Sequence, residues 1–250
     1  MTAVRIALLG DVHGNVAALE AAVAELRRHR PDVTIVLGDL VLNGPRPAET
    51  MAAIIDLAAS GALVISGNTD IAVADGDFAA AFPWLDEVPV SHRAAAEWAR
   101  EQLTDEQLGF LRGLPAERRI RLDDELLLLA CHASPGSQTA GMPAGLDAAT
   151  TMQYATRTDA RVIGCGHTHV ADVRELGRKL LLNPGSCGYA FDGTPEACWA
   201  LLTADAGGEP QAQLFRTPYD AQTVAEEVSQ RGLPSDVYRA ATIRTGRFVR

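Results

Sequence analysis

Seven residues in this chain have the side chains of a metal site: Asp11, His13, Asp39, Asn68, His132, His167 and His169. They fall in five blocks, each at the end of an apolar run: Gly10-Asp11-Val12-His13, Gly38-Asp39, Gly67-Asn68-Thr69-Asp70, Cys131-His132 and Gly166-His167-Thr168-His169. Of the six histidines, only His29 and His92 lie elsewhere, in predicted helical ends. A single histidine at a strand end is most often structural. Four of them, joined by two aspartates and an asparagine, reverse that judgement. Buried carboxylates facing one another raise each other's pKa and destabilise a fold unless a cation neutralises them. Oxygen from Asp and Asn with nitrogen from His suits Mn²⁺, Fe, Zn²⁺ or Co²⁺ better than a thiolate-demanding site. Seven protein ligands are too many for one catalytic ion with an open position. They suit two ions that share a bridging carboxylate, roughly 3.5–4 Å apart.

Such residues can meet only if the runs before them lie side by side. Residues 4–9, 33–37 and 63–66 read as buried strands, separated by helical patterns. The first helix opens at Asn15, a good N-cap, with Val16, Leu19, Val23 and Leu26 on one face. The second covers 48–59. Ligands gather at the carboxyl ends of strands in open α/β sheets, and the glycines let the backbone turn sharply there. Further along, 92–103 and 104–111 read as helices, the latter opened by a Thr104/Gln107 capping box. Residues 119–122 and 125–131 read as paired strands, followed by strands at 161–163, 179–182, 199–203 and 212–216. A helix at 221–231 precedes an arginine-bearing tail. An early βαβαβ half followed by a strand-dense half predicts an α/β layered fold with two packed sheets.

Composition narrows the function classes. With 22 Lys plus Arg against 32 Asp plus Glu, the 250-residue chain has a formal charge of −10. An acidic balance argues against long nucleic acids and anionic membranes as partners, because a basic footprint is missing. No apolar run approaches the roughly 18–20 residues of a membrane span. The run 6–9 is too short for a signal-peptide core, and Asp11 follows it. Cys131, Cys165, Cys187 and Cys198 form no CxxC pair and read as inert reduced thiols, which predicts a cytoplasmic protein. A small anionic substrate is still compatible with this charge. Two divalent ions bring +4 against −2 from Asp11 and Asp39, leaving the site roughly +2.

In order and in residue type, the five blocks resemble the calcineurin-like metallophosphoesterases, most of all their compact bacterial phosphodiesterase branch. Asn43-Gly44-Pro45, His132-Ala133-Ser134-Pro135, Asn183-Pro184-Gly185-Ser186 and Arg216-Thr217-Pro218-Tyr219-Asp220 extend the resemblance over nearly the whole chain. One block alone is a weak signal, and five in order are a specific one. The resemblance implies an α/β fold, a four-layer α/β/β/α sandwich of two packed mixed sheets flanked by helices. Residues 1–250 are expected to form one domain, with 134–146 a loop near the site and 218–250 a C-terminal helical extension. It also implies a dinuclear centre of two divalent ions, Mn favoured. Asp11, His13 and His169 would bind the first ion, and Asn68, His132 and His167 the second, with Asp39 bridging. The implied activity is a metal-dependent phosphoesterase, first of all a phosphodiesterase, hydrolysing a small phosphate ester by attack of a bridging hydroxide. The alternatives are a dinucleoside-polyphosphate or nucleotide phosphatase, and a noncatalytic scaffold of the same fold. No motif bears on oligomeric state.

The chain departs from the family pattern in its third block, where Thr69 stands in place of a histidine that usually protonates the leaving oxygen. A threonine hydroxyl is no general acid at neutral pH, which predicts a preference for activated leaving groups. The catalytic candidates left in this block are Asn68 and Asp70, Asp70 either orienting a water or capping the next helix. Thr69 and Arg46 are the substrate-binding candidates. Some relatives carry a phosphate-binding arginine two residues before Pro45; here that residue is Asn43, and Arg46 lies three residues later. His92 is a further candidate for lining the pocket.

Overall fold

The computed structural model describes residues 3–122, 126–204 and 208–250. Its elements run in the order β1 (Val4–Leu9), α1 (Val16–Arg28), β2 (Val33–Val36), α2 (Pro47–Ala59), β3 (Leu63–Val64), α3 (Asn68–Asp75), α4 (Phe78–Ala81), α5 (Val90–Gln102), α6 (Asp105–Arg112), β4 (Glu117–Arg121) and β5 (Leu127–Cys131). There follow α7 (Ala148–Ala155), β6 (Val162–Gly164), β7 (Asp172–Leu176), β8 (Lys179–Asn183), β9 (Ala197–Ala204), β10 (Gln211–Thr217), α8 (Ala221–Arg231) and α9 (Asp236–Thr245).

The first sheet has the order β10-β9-β1-β2-β3, and the second β4-β5-β6-β8-β7. In the first, parallel β1, β2 and β3 continue on one side into antiparallel β9 and then β10; in the second, parallel β5, β6 and β8 lie between antiparallel β4 and β7. β1 explains the layering. Its alternate residues Ile6 and Leu8 join a core with Leu128, Val162 and Leu182 of the second sheet. Ala7 and Leu9 point the other way, into a core with Leu19, Leu26, Met51 and Ile54 of the helices. A strand covered on both faces must be apolar throughout, and β1 is buried from Ile6 to Leu9. The outer face of the second sheet packs Leu129, Ile163 and Leu181 against Ala155 of α7. The result is the expected four-layer α/β/β/α sandwich of two mixed sheets.

Several elements differ from the sequence reading. Helices α4 and α7 and strand β7 were not expected, the helix that Asp70 was a candidate to cap is α3, β3 is shorter than 63–66, and the tail after α8 forms α9. The buried residues of α3 and α9 include Asn68, Thr69 and Asp70, and Asp236, Arg239 and Thr242. A polar buried face gives no amphipathic signal. Glu125, the expected start of the strand at 125–131, lies outside the described residues.

Candidate metal centre

Each expected ligand follows a strand tip. Asp11 and His13 follow β1, Asp39 follows β2, and Asn68 opens α3 after β3. His132 follows β5, while His167 and His169 follow β6. The carboxyl ends of the parallel strands of both sheets therefore share one edge. Asp11, His13, Asp39, His167 and His169 all sit in the left-handed region, with φ of 53°, 53°, 54°, 66° and 59°. Non-glycine residues rarely adopt it, and such strain gathers at functional sites. Glycine is required beside them for space. A methyl group on Gly67 would lie 2.1 Å from Asp39 Oδ1, and one on Gly166 would lie 2.5 Å from Asp11 Oδ2.

Backbone carbonyls orient the imidazoles. His13 Nδ1–H donates to Leu42 O (2.9 Å), His132 Nδ1–H to Leu37 O (2.7 Å), and His169 Nδ1–H to Tyr189 O. A carbonyl can only accept, so in each ring Nε2 presents its lone pair to the site. His167 instead turns Nδ1 inward, and its ring is also hydrogen-bonded to the backbone of Thr139, in the loop 134–146. Asn68 Nδ2 donates to Ala81 O, which turns Oδ1 toward His132 Nε2 (3.1 Å) and His167 Nδ1 (3.0 Å).

Two clusters result, with Asp39 between them. Ligand atoms of Asp11, His13, Asp39 and His169 lie within 4.8 Å of one another, a candidate metal-binding group. His13 Nε2 is 3.2 Å from His169 Nε2, and His169 Nε2 is 3.4 Å from Asp11 Oδ1. Asp39 Oδ2 is 3.6 Å from His13 Nε2, whereas its Oδ1 is 3.4 Å from His132 Nε2 in the Asn68 cluster. The donor set fits a cation by its own chemistry. The facing lone pairs of His13 and His169 repel unless a positive charge lies between them. Burial lowers the pKa of both rings, so at neutral pH a proton does not supply that charge. Burial and the neighbouring Asp39 carboxylate push Asp11 well above the usual carboxylate range. Burial would raise Asp39 too, but His132, His13, His167 and the Thr69 N–H outweigh it and hold the carboxyl at about 2.

The block Asn183-Pro184-Gly185-Ser186 acts from behind. Ser186 Oγ donates to Asp11 O (2.7 Å) and accepts from Tyr189 N–H, while Asn183 Nδ2 donates to Gly166 O (2.9 Å). These bonds tie the tips of β1, β6 and β8 together.

The other candidates have different fates. Asp70 does not line the cavity at the site. Its oxygens accept the N–H groups of Gly67 (2.8 Å), Asp39 (2.9 Å) and Leu40 (2.8 Å). It is therefore a buried brace that joins the tips of β2 and β3. Arg46 also lies away from the cavity. It is the N-cap residue of α2, half exposed, and makes a two-pronged ion pair with Glu227 of α8, outside the cavity. Thr69 N–H donates to Asp39 Oδ1 (2.9 Å), while its buried Oγ1 has no partner.

Over the clusters opens a cavity of about 390 Å³, lined by His13, Asp39, Asn68, Thr69, His167 and His169. Its outer walls carry His92, the candidate for lining the pocket, and residues that no motif marked: Phe82 and Trp84, then Tyr189 and Phe191, then Tyr238, Arg239 and Phe248. Phe191 stacks on His169 with ring centroids 4.2 Å apart. No sequence signal marks this wall, because its aromatic residues come from stretches far apart in the chain and converge only in the fold.

Comparisons with known proteins agree with this geometry. A family model described as the calcineurin-like phosphoesterase superfamily domain matches residues 4–207. The solved structure of a metallophosphoesterase from Sphaerobacter thermophilus is similar over 98% of this chain and 100% of its own, at 25% identity and a TM-score of 0.75. A hypothetical protein from Pyrococcus horikoshii shares the fold at a TM-score of 0.82 and 20% identity, over 97% of this chain and 98% of its own. An uncharacterized protein of Methanocaldococcus jannaschii is 24% identical over 247 residues, covering 92% of this chain and 93% of that protein.

Proposed function

Because the chain belongs to the calcineurin-like phosphoesterase superfamily, we propose that it is a metal-dependent phosphoric ester hydrolase, a phosphodiesterase acting on a small phosphate ester. The observation that carries this reading is the division of the site. Two acceptor clusters meet at Asp39, one carboxylate oxygen near each. In this reading Asp11, His13 and His169 hold one ion, Asn68, His132 and His167 the other, and Asp39 both. Two divalent cations, Mn²⁺ ahead of Fe, Zn²⁺ or Co²⁺, would supply Lewis-acid charge and activate water for in-line attack on phosphorus. The residues of the chain do the rest. Carbonyls of Leu37, Leu42 and Tyr189 fix the imidazole tautomers, and Asp70 braces the turn that presents Asp39. Thr69 Oγ1 can hydrogen-bond to a substrate oxygen but cannot protonate a leaving group, so ester groups that depart as stable anions are favoured.

The size and walls of the cavity support a small organic ester, its non-phosphate part resting against Phe82, Trp84 and Phe248. The acidic chain works against long polyanions. No helix among the described residues is long and apolar enough to cross a membrane. The four buried free thiols support a reducing, cytoplasmic setting. The test is metal analysis of the purified protein, then turnover with added Mn²⁺ on phosphomonoesters, linear and cyclic diesters, and dinucleoside polyphosphates. Hydrolysis of diesters ahead of the others is expected. Bound metal with no turnover on any of them would overturn the proposal in favour of a noncatalytic scaffold.

A further inference from the structure

Helix α9 lies beyond the residues that the family model matches, yet it reaches the cavity. We propose that Arg239, carried by α9, binds the phosphoryl oxygens of the substrate, which makes the C-terminal helical pair part of the active site; this rests on the phosphoesterase reading above. Arg239 is only 6% exposed and lines the cavity together with Thr69 and His92. Four of its five N–H groups are held. Nε–H donates to Asn43 Oδ1 (3.2 Å), Nη1 to Pro234 O (2.7 Å) and Asp236 Oδ1 (3.0 Å), and Nη2 to Ser91 O (2.7 Å). The fifth, on Nη2, has no partner among the described residues. A guanidinium anchored in this way keeps its fork rigid and one donor free.

Charge supports the assignment. Arg231 and Arg239 share one carboxylate, that of Asp236, which Arg231 contacts through both Nε (3.0 Å) and Nη2 (2.6 Å). The remaining partners of the two arginines are neutral: carbonyls of Asn43, Gly44, Ser91 and Pro234, the Asn43 amide oxygen and the face of Trp98. Two cations against one anion leave one positive charge in a buried setting, which calls for an anion.

A second, independent observation points to a ligand. Thr69 Oγ1 and His92 Nδ1 are buried polar atoms without a hydrogen-bond partner, and both residues line this cavity. Position relative to the metal cluster fits as well. Asn43 holds Arg239, and the preceding residue, Leu42, holds His13 through its carbonyl. One loop thus spaces the arginine from the first metal cluster. Charge-assisted bonds from a guanidinium to phosphoryl oxygens are short and strong, and the Thr69 hydroxyl and His92 ring would complete the polar contacts.

Inorganic phosphate is the probe. Its affinity is measured by calorimetry on the Mn²⁺-loaded protein and on Arg239→Gln, Arg239→Lys and Arg239→Ala, with metal content determined for each. Arg239→Gln should weaken phosphate binding about 10- to 100-fold at unchanged metal content. Arg239→Lys should recover part of the loss, and millimolar methylguanidinium should restore binding to Arg239→Ala, which a purely structural role would not allow. In the wild-type protein, the Arg239 side-chain ¹⁵N resonances should shift on phosphate addition, a readout that holds even if the variants fail to fold. A folded Arg239→Gln with phosphate affinity within twofold of wild type, a loss that methylguanidinium does not relieve, or an unshifted resonance would overturn the assignment. Turnover with Arg239-independent phosphate affinity would remove the arginine alone. Arg239-dependent phosphate binding without turnover of any ester would remove the hydrolase reading alone.

Discussion

At the tips of β1, β2, β3, β5 and β6 the side chains present acceptors to one another, whereas the wall built by α5, α9 and the segment after it presents donors and aromatic faces. His13 Nε2 meets His169 Nε2, and Asn68 Oδ1 meets His132 Nε2, lone pair against lone pair. Across the cavity, Arg239 keeps an uncommitted N–H beside the unpartnered His92 Nδ1. The inner region lacks positive charge and the outer region lacks negative charge. Cations in the first and a phosphate ester between the two would satisfy both, which is why the two regions make chemical sense only together. They are also held differently. Backbone carbonyls and left-handed turns fix the inner residues, while an Arg231–Asp236–Arg239 arrangement of side chains fixes the outer ones.

This contrast can be broken from either side. The largest effect is expected from Asp39→Asn, which removes the charge shared by the two inner clusters. Diester hydrolysis should fall by several orders of magnitude while circular dichroism stays native. Retained activity in a folded, metal-depleted Asp39→Asn protein would sink the shared-carboxylate reading. A smaller effect of opposite sign is expected from Thr69→His, which places a proton donor beside the inner clusters. Turnover of alkyl-leaving-group diesters should rise about tenfold or more, judged against p-nitrophenyl diesters, whose rate should change little. Removing metal with a chelator leaves the inner acceptors uncompensated. The melting temperature should drop by about 5–10 °C relative to protein kept at a hundredfold excess over the metal dissociation constant. No change in melting temperature would mean that cation binding is not coupled to folding at this edge. The smallest effect should come from Arg46→Ala. Its ion pair with Glu227 is on the exterior, so stability should shift by no more than about 1 kcal/mol and kcat/KM should hold within about twofold.

The inner region was legible in the sequence for a physical reason. A parallel strand covered on both faces is a short apolar run, and the first polar residue after it stands at the sheet edge by necessity. Asp11, Asp39 and His132 could therefore be placed without knowing how the strands pair. That logic does not reach Arg46. It stands in a loop of the right neighbourhood, but which way a loop side chain turns depends on partners such as Glu227, 181 residues away. Asp70 lies between these cases. Its helix-capping geometry was readable, but its two further bonds, to the N–H groups of Asp39 and Leu40, come from a neighbouring strand tip.

What the sequence determined by itself is an α/β layered fold with two packed sheets, the set of candidate ligands and their order along the chain. All of these follow from local periodicity and from the residue types that end each run. Only the tertiary structure decided that Asp39 turns one oxygen to each cluster, that Asp70 braces two strand tips, and that Arg239 reaches the cavity. Each of these depends on contacts between residues far apart in the chain. For α9 there was a second obstacle. Its buried face mixes Asp236, Arg239 and Thr242 with Ala240 and Ile243, which weakens the apolar stripe that makes a helix visible in sequence, and its polar residues acquire partners only when the fold has closed around them.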